Sequence, residues 1–129
     1  MATQHQPSLY ERLGGVYSIA TVVDDFIDRI MIDPRLNANP LVDEAHHRVT
    51  PPGFKYLVTE MVCWATGGPQ QYTGRPMTPA HTGMEITDAE FNAAAADLKQ
   101  ALSKNKVPEG LQNELLAIVG TTRSQMVGK

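Results

Sequence analysis

The sequence predicts an all-α domain. Four stretches carry apolar residues at three- and four-residue spacing, the pattern of a helix with one buried face. Local signals mark several boundaries: Asp33-Pro34 ends the first, Thr50-Pro51-Pro52 opens the second, and Thr87 with Glu90 forms a capping box for the third. No stretch shows the strict alternation that a half-buried strand needs. A chain of 129 residues has room for one core, so residues 8–129 read as a single domain behind a polar tail at 1–7.

Ser8 is placed to cap a short helix that Gly14-Gly15 closes. The first long helix follows, with Ile19, Val22, Val23, Phe26, Ile27 and Ile30 on one face and Asp24, Asp25, Asp28 and Arg29 opposite. Asp33-Pro34 ends it. Asn37, Asn39 and Pro40 suggest a turn, and 41–49 a short helix. Thr50-Pro51-Pro52 opens the second long helix, which carries Phe54, Leu57, Val58, Met61, Val62 and Ala65 on one side, with Trp64 at the core margin where its N–H finds a partner. Thr87-Asp88-Ala89-Glu90 is a capping box for a third helix carrying Phe91, Ala94, Ala95, Leu98 and Leu102. Asn105 to Pro108 turns the chain into a fourth, with Leu111, Leu115, Ile118, Val119, Thr122 and Met126.

Bulk composition excludes several function classes. Net charge is −3 and the pI near 5.7, which argues against nucleic acid and anionic membrane as principal partners. No apolar run approaches a membrane span, and the polar first residues do not resemble a signal sequence. A lone Cys63 cannot form an internal disulfide. These features predict a soluble, cytoplasmic monomer. No phosphate loop or nucleophile constellation is present. Glu44 and His47 lack the further ligands that a zinc site needs.

The stretch 67–81 stands apart. Three glycines and three prolines interrupt regular structure between two strongly helical patterns. A long irregular connection in a compact helical domain usually frames a site. Its metal-capable side chain is His81, in a short helix that Thr78-Pro79 is expected to start and Gly83 to stop.

Gly67-Gly68-Pro69, Tyr72-Thr73-Gly74, Pro76-Met77, His81, Gly83, Ile86-Thr87 and Phe91 resemble, in order and spacing, the truncated haemoglobins of group I. The likeness extends to Leu9-Tyr10-Glu11-Arg12-Leu13-Gly14-Gly15 upstream and to Val107-Pro108 and Leu116-Ala117-Ile118-Val119 downstream. It implies a two-on-two helical sandwich holding haem b, with His81 as the proximal iron ligand and Tyr72, Met77, Ile86, Phe91 and Ile118 beside the macrocycle. Core packing alone also accounts for Ile86, Phe91 and Ile118. Arg75 suits a haem propionate, and equally a solvated surface.

On the distal side the chain departs from the family pattern. Ile27 stands where many group I members carry a ligand-binding tyrosine. The polar partner often found on the distal helix aligns near Val58, with Phe54 one turn earlier, and Asn39 and Pro40 replace two aromatics. A pocket of Ile27, Phe54, Val58 and Val62 offers no donor to bound oxygen. His46-His47 lie in a longer connection before that helix; either is a candidate distal ligand, or both are solvated beside Asp43 and Glu44. Tyr56 is a further candidate hydroxyl if the helix is rotated. The expected function is reversible binding of oxygen, carbon monoxide and nitric oxide, with nitric-oxide dioxygenase or peroxidase-like chemistry and a reductase partner as extensions. The alternative is a six-coordinate, bis-histidyl protein for electron transfer or redox sensing.

Overall fold

The structure is a computed structural model and describes residues 7–129, so residues 1–6 of the expected tail lie outside the described residues. Nine helices and no strand occur among them: α1 (Leu9–Arg12), α2 (Gly15–Ile32), α3 (Pro34–Asn37), α4 (Pro40–Arg48), α5 (Pro51–Ala65), α6 (Met77–His81), α7 (Asp88–Lys104), α8 (Glu109–Gly120) and α9 (Arg123–Met126). The four long ones are those the periodicity predicts, except that the last expected face is split: α8 ends at Gly120, and Thr122 and Met126 fall at the start and end of α9. α2 packs on α5 and on α7, and α7 packs on α8, which makes two layers of two helices.

Local chemistry sets the starts. Ser8 with Glu11 and Thr87 with Glu90 form reciprocal capping boxes for α1 and α7. Asp33, Asn39 and Thr50 each accept from the backbone of the helix they open, and each is followed by Pro in the first turn, where no N–H is missed. The turn expected around Asn37 to Pro40 is therefore two short helices separated by a cap. Asn39 does more than cap. Its Nδ2 donates to the Met84 carbonyl at 2.9 Å and to Glu90 at 3.2 Å, tying α4 to the connection before α7.

Two expectations are corrected. α6 begins at Met77 after Pro76, not at a Thr78 cap; Pro79 fits inside its first turn because that N–H would be unpaired in any case. Trp64 is 53% exposed, with no hydrogen-bond partner for its N–H among the described residues. Its ring lies over Tyr72 instead, centroids 6.3 Å apart. The polar group buried at this end of α5 is Thr66, whose hydroxyl donates to the Val62 carbonyl at 2.7 Å. α5 ends at Ala65 with Thr66 as its cap, and the next residue, Gly67, takes a φ of +94° that costs a glycine little.

The core falls in three adjoining clusters. Leu98, Ala101, Leu102 and Leu115 join α7 to α8. Ile19, Val23, Ile27, Val58 and Cys63 join α2 to α5. Ile30, Leu36, Val42 and Ala93 seat α3 and α4 on the sandwich. This third cluster carries an ionic clamp. Arg35 reaches Asp33 at 2.8 Å and Asp97 of α7 at 3.2 Å. Asp97 is buried, and its Oδ2 has no hydrogen-bond partner among the described residues. Burial and the neighbouring Asp33 carboxylate push the Asp97 carboxyl up to about 7, while the bond from Arg35 holds Asp33 far below the carboxylate range. The pair therefore favours a single negative charge, beside a guanidinium that pins α3 to α7.

Candidate cofactor cavity

Between the two layers lies an apolar cavity of about 1140 Å³. That exceeds the roughly 300–1,000 Å³ usual for a small-molecule site and suits a large planar cofactor. α2 contributes Ile27 and α5 contributes Phe54 and Val58, while α6, α7 and α8 contribute Met77, Phe91 and Ile118. Tyr72, Arg75 and Ile86 come from the connections on either side of α6. Every expected site residue except His47 and the further candidate Tyr56 therefore lies on one wall system. Ile27 is fully buried and Phe91 nearly so.

His81 faces the cavity from the last turn of α6. Its Nδ1 lies 2.7 Å from the Met77 carbonyl, four residues earlier. A carbonyl only accepts, so Nδ1 carries the proton and Nε2 keeps its lone pair. An imidazole held this way has the tautomer and fixed plane that a metal ligand requires. The connection before it is braced from within. Tyr72 donates to the Arg75 carbonyl at 2.6 Å, Arg75 donates to the Pro79 carbonyl at 2.8 Å, and Thr73 bonds Glu60 of α5. Gly74 permits this closure, since a Cβ there would run into the Tyr72 ring.

The two adjacent histidines separate cleanly. His46 is half-buried and lines the cavity, whereas the His47 side chain is 76% exposed and faces Asp43 on its own helix. Their order on α4 decides this, because successive helical residues point about 100° apart. His46 Nδ1 lies 2.6 Å from Asn37 Oδ1, and Asn37 Nδ2 donates onward to the Met31 carbonyl at 2.9 Å. Burial draws the His46 imidazole below its ordinary value, more than Asp43 raises it. Tyr56 points away and is 63% exposed.

Sequence reasoning missed Asn37, since a bond across nine residues and a helix break has no periodic signal. It also missed Arg48, which lines the cavity mouth with Arg75 and has no hydrogen-bonded partner among the described residues. Its place at the C-terminal end of α4 was readable, but its side of the helix was not.

A helical two-on-two sandwich around an apolar cavity, with one oriented imidazole inside it, defines a globin-type cofactor protein. The bacterial-like globin family model matches residues 8–128, and the chain belongs to that family, as a group I truncated globin. It is 33% identical to the group 1 truncated hemoglobin of Synechocystis, covering 88% of this chain and 90% of that one. It is 28% identical to the group 1 truncated hemoglobin of Tetrahymena pyriformis, over 95% and 96%. The Fe(III) crystal structure of the Tetrahymena pyriformis protein superposes with a TM-score of 0.85, covering 95% of this chain and all of that one. The cyanomet 2/2 hemoglobin of Synechococcus, whose heme is covalently attached, gives 0.82 at 27% identity, with the same coverage. Truncated globins carry haem b, and the size, polarity and bare imidazole nitrogen of this cavity fit it.

Proposed function

We propose that His81 Nε2 is the axial ligand of haem b and that the protein reversibly binds oxygen, carbon monoxide and nitric oxide. The observation that carries this reading is the His81–Met77 bond, which leaves a lone pair directed into an apolar slot of haem size. Haem supplies the gas-binding and redox chemistry; the chain supplies access, polarity and orientation.

Tyr72 and Met77 bound the slot near His81, and Ile86, Phe91 and Ile118 close it from the α7–α8 side. Phe91 is kept in place by Arg123, whose guanidinium lies 4.4 Å from the ring centroid and pairs with Asp88 at 2.7 Å. Arg75 and Arg48 stand at the mouth as partners for the propionates, as guanidinium suits carboxylate. Ile27, Phe54 and Val58 make the distal wall, with no polar atom to hold bound oxygen. Oxygen is therefore released quickly, and discrimination against carbon monoxide is weak. Slow-release storage and fast nitric-oxide dioxygenation fit this wall poorly. A cytoplasmic monomer served by a reductase is the setting we propose; the buried Cys63 needs no oxidising compartment, and no described helix is long and apolar enough to cross a membrane.

The test is a visible spectrum of the ferrous, ligand-free protein after haem supplementation. A Soret band with five-coordinate high-spin features supports the reading, and His81→Ala should remove or alter it. Six-coordinate low-spin iron lost on His46→Ala would favour the bis-histidyl alternative. No Soret band would leave a haem-free helical module.

A further inference from the structure

We propose that Arg123 is a positioning residue for His81: through α9 and the segment 127–129 it fixes where α6 sits, and with it the iron–imidazole bond on which haem retention depends. This deepens the haem reading above and rests on it.

α6 has little of its own to hold it in place. Five residues are too few for a helix that stands alone in water. None of the five is buried, and Pro76 offers no side-chain cap. The Met77 carbonyl fixes the plane of the His81 ring, but it rides on the same helix and leaves the place of that helix open. Arg75, bonded to the Pro79 carbonyl, braces the approach from the N-terminal side. On the other side Thr82 is extended, Gly83 takes a φ of +90° and Glu85 a φ of +53°. A left-handed glutamate is strained, and it persists where its surroundings over-determine the backbone.

Residues 127–129 are those surroundings. The Gly83 N–H donates to the main-chain oxygen of Lys129 at 2.9 Å, and the Gly128 N–H donates to the Ile86 carbonyl at 2.8 Å. Ile86 also pairs with Val127 in a parallel bridge. The span directly after His81 is therefore stapled at both ends to one strap. The strap continues α9, which packs on α6 but has only four residues and no side-chain cap. α9 needs an anchor in turn, and Arg123 is placed to be one. Its guanidinium donates to Asp88 at 2.7 Å and to Asn92 at 2.6 Å, and lies 4.4 Å from the Phe91 ring centroid. All three belong to the first two turns of α7, and a rigid fork of donors grips them as a flexible ammonium would not. Thr122 and Met126, on either side of this anchor, line the cavity. α7 is thus the fixed frame, and α9 with its strap carries that frame across to α6.

The experiment compares the haem-loaded parent with Arg123→Ala, Arg123→Lys, Gly128→Pro and, as a control, Arg12→Ala. The control cuts an ion pair between α1 and α8 whose arginine is as exposed as Arg123. Gly128→Pro removes the donor to Ile86 and cannot take the φ of +74° found there. Resonance Raman just after photolysis of the carbon-monoxide form reads the iron–imidazole stretch, and transfer to apomyoglobin reads haem retention. Amide exchange at Gly83 is followed with and without haem. Arg123→Ala and Gly128→Pro should shift and broaden the stretch and release haem about tenfold faster, the low end for losing an outer partner of a ligand. Gly83 should exchange faster in both, in the haem-free protein as well. Arg123→Lys should fall between Arg123→Ala and the parent, and Arg12→Ala should match the parent in all three readouts. A parent that takes up no haem overturns the cofactor reading and this proposal together. A haem-loaded parent whose stretch is equalled by Arg123→Ala and Gly128→Pro overturns this proposal alone. So does an equal shift in Arg12→Ala, which would trace the effect to a general loss of stability.

Discussion

Both histidines on the cavity wall donate from Nδ1 and keep Nε2 bare, at 2.7 Å from the Met77 carbonyl for His81 and 2.6 Å from the Asn37 amide oxygen for His46. They differ in who holds them. His81 is held by a backbone carbonyl one turn back on its own helix, an acceptor that no substitution deletes while α6 survives. His46 is held by a side chain of α3, across a helix break, and α3 is itself fastened to α7 by Arg35 between Asp33 and Asp97. The His81 ring is thus oriented locally, whereas the His46 ring is oriented through tertiary contacts, so its orientation is the more tunable of the two.

The widest separation should come from deleting each ring. His81→Ala should cost more in haem retention than the 10–100-fold typical of losing an outer partner, while His46→Ala keeps the cofactor; transfer to apomyoglobin measures both. Equal losses would erase the distinction between a ligand and a wall residue.

Giving the apolar wall a donor is the next largest change. Ile27→Tyr places a hydroxyl on the fully buried face of α2. Oxygen dissociation should slow about tenfold, the worth of roughly one good hydrogen bond; an unchanged off-rate by flash photolysis would remove Ile27 from the distal wall.

The two second nitrogens can be set against each other. Met77→Ala leaves the carbonyl that His81 uses, so the ring keeps one tautomer although packing loses about 2 kcal/mol. Asn37→Ala removes the His46 acceptor, so that ring should populate both tautomers. Nitrogen NMR distinguishes the outcomes, and mixed tautomers at His81 in the first variant would contradict the backbone assignment.

The smallest effect is on the clamp beneath α3. The Asp97 carboxyl is raised from 3.8 to about 7, so its contribution to stability is full below about pH 4 and is lost as the pH climbs through 7. Asp33 is shifted the opposite way, so its contribution holds above about pH 4 and disappears only in acid. Arg35 and, more weakly, Arg29 are the cations facing Asp97. The melting temperature should therefore fall by a few degrees between about pH 5 and pH 8, and Asp97→Asn should flatten that slope. A parent whose melting temperature is level over this range would show that the pair is not sharing a proton.

How far the residues alone reach differs between the two histidine elements. α6 was legible, His81 and its glycine- and proline-rich approach included, although its first residue was not, because Pro76 rather than Thr78 precedes it. The short helix at 40–48 was legible too. Which of His46 and His47 turns inward was not, since the phase of a nine-residue helix with Val42 and Ala45 as its buried members depends on what it packs against. Trp64 misled for a similar reason. Its position on α5 permits a buried edge, but Tyr72, brought back by the loop, meets it outside the core.

Sequence by itself determined the four long helices, the caps at Ser8 and Thr87 and the irregular span that ends in His81, because helical period, proline geometry and capping act within a few residues. Only the tertiary structure decided that His46 joins the cavity with Asn37 behind it, that Arg48 reaches the mouth, and that Asp33 and Asp97 meet over Arg35. Those pairings depend on how α3 and α4 settle against α7, and no spacing along the chain encodes that distance.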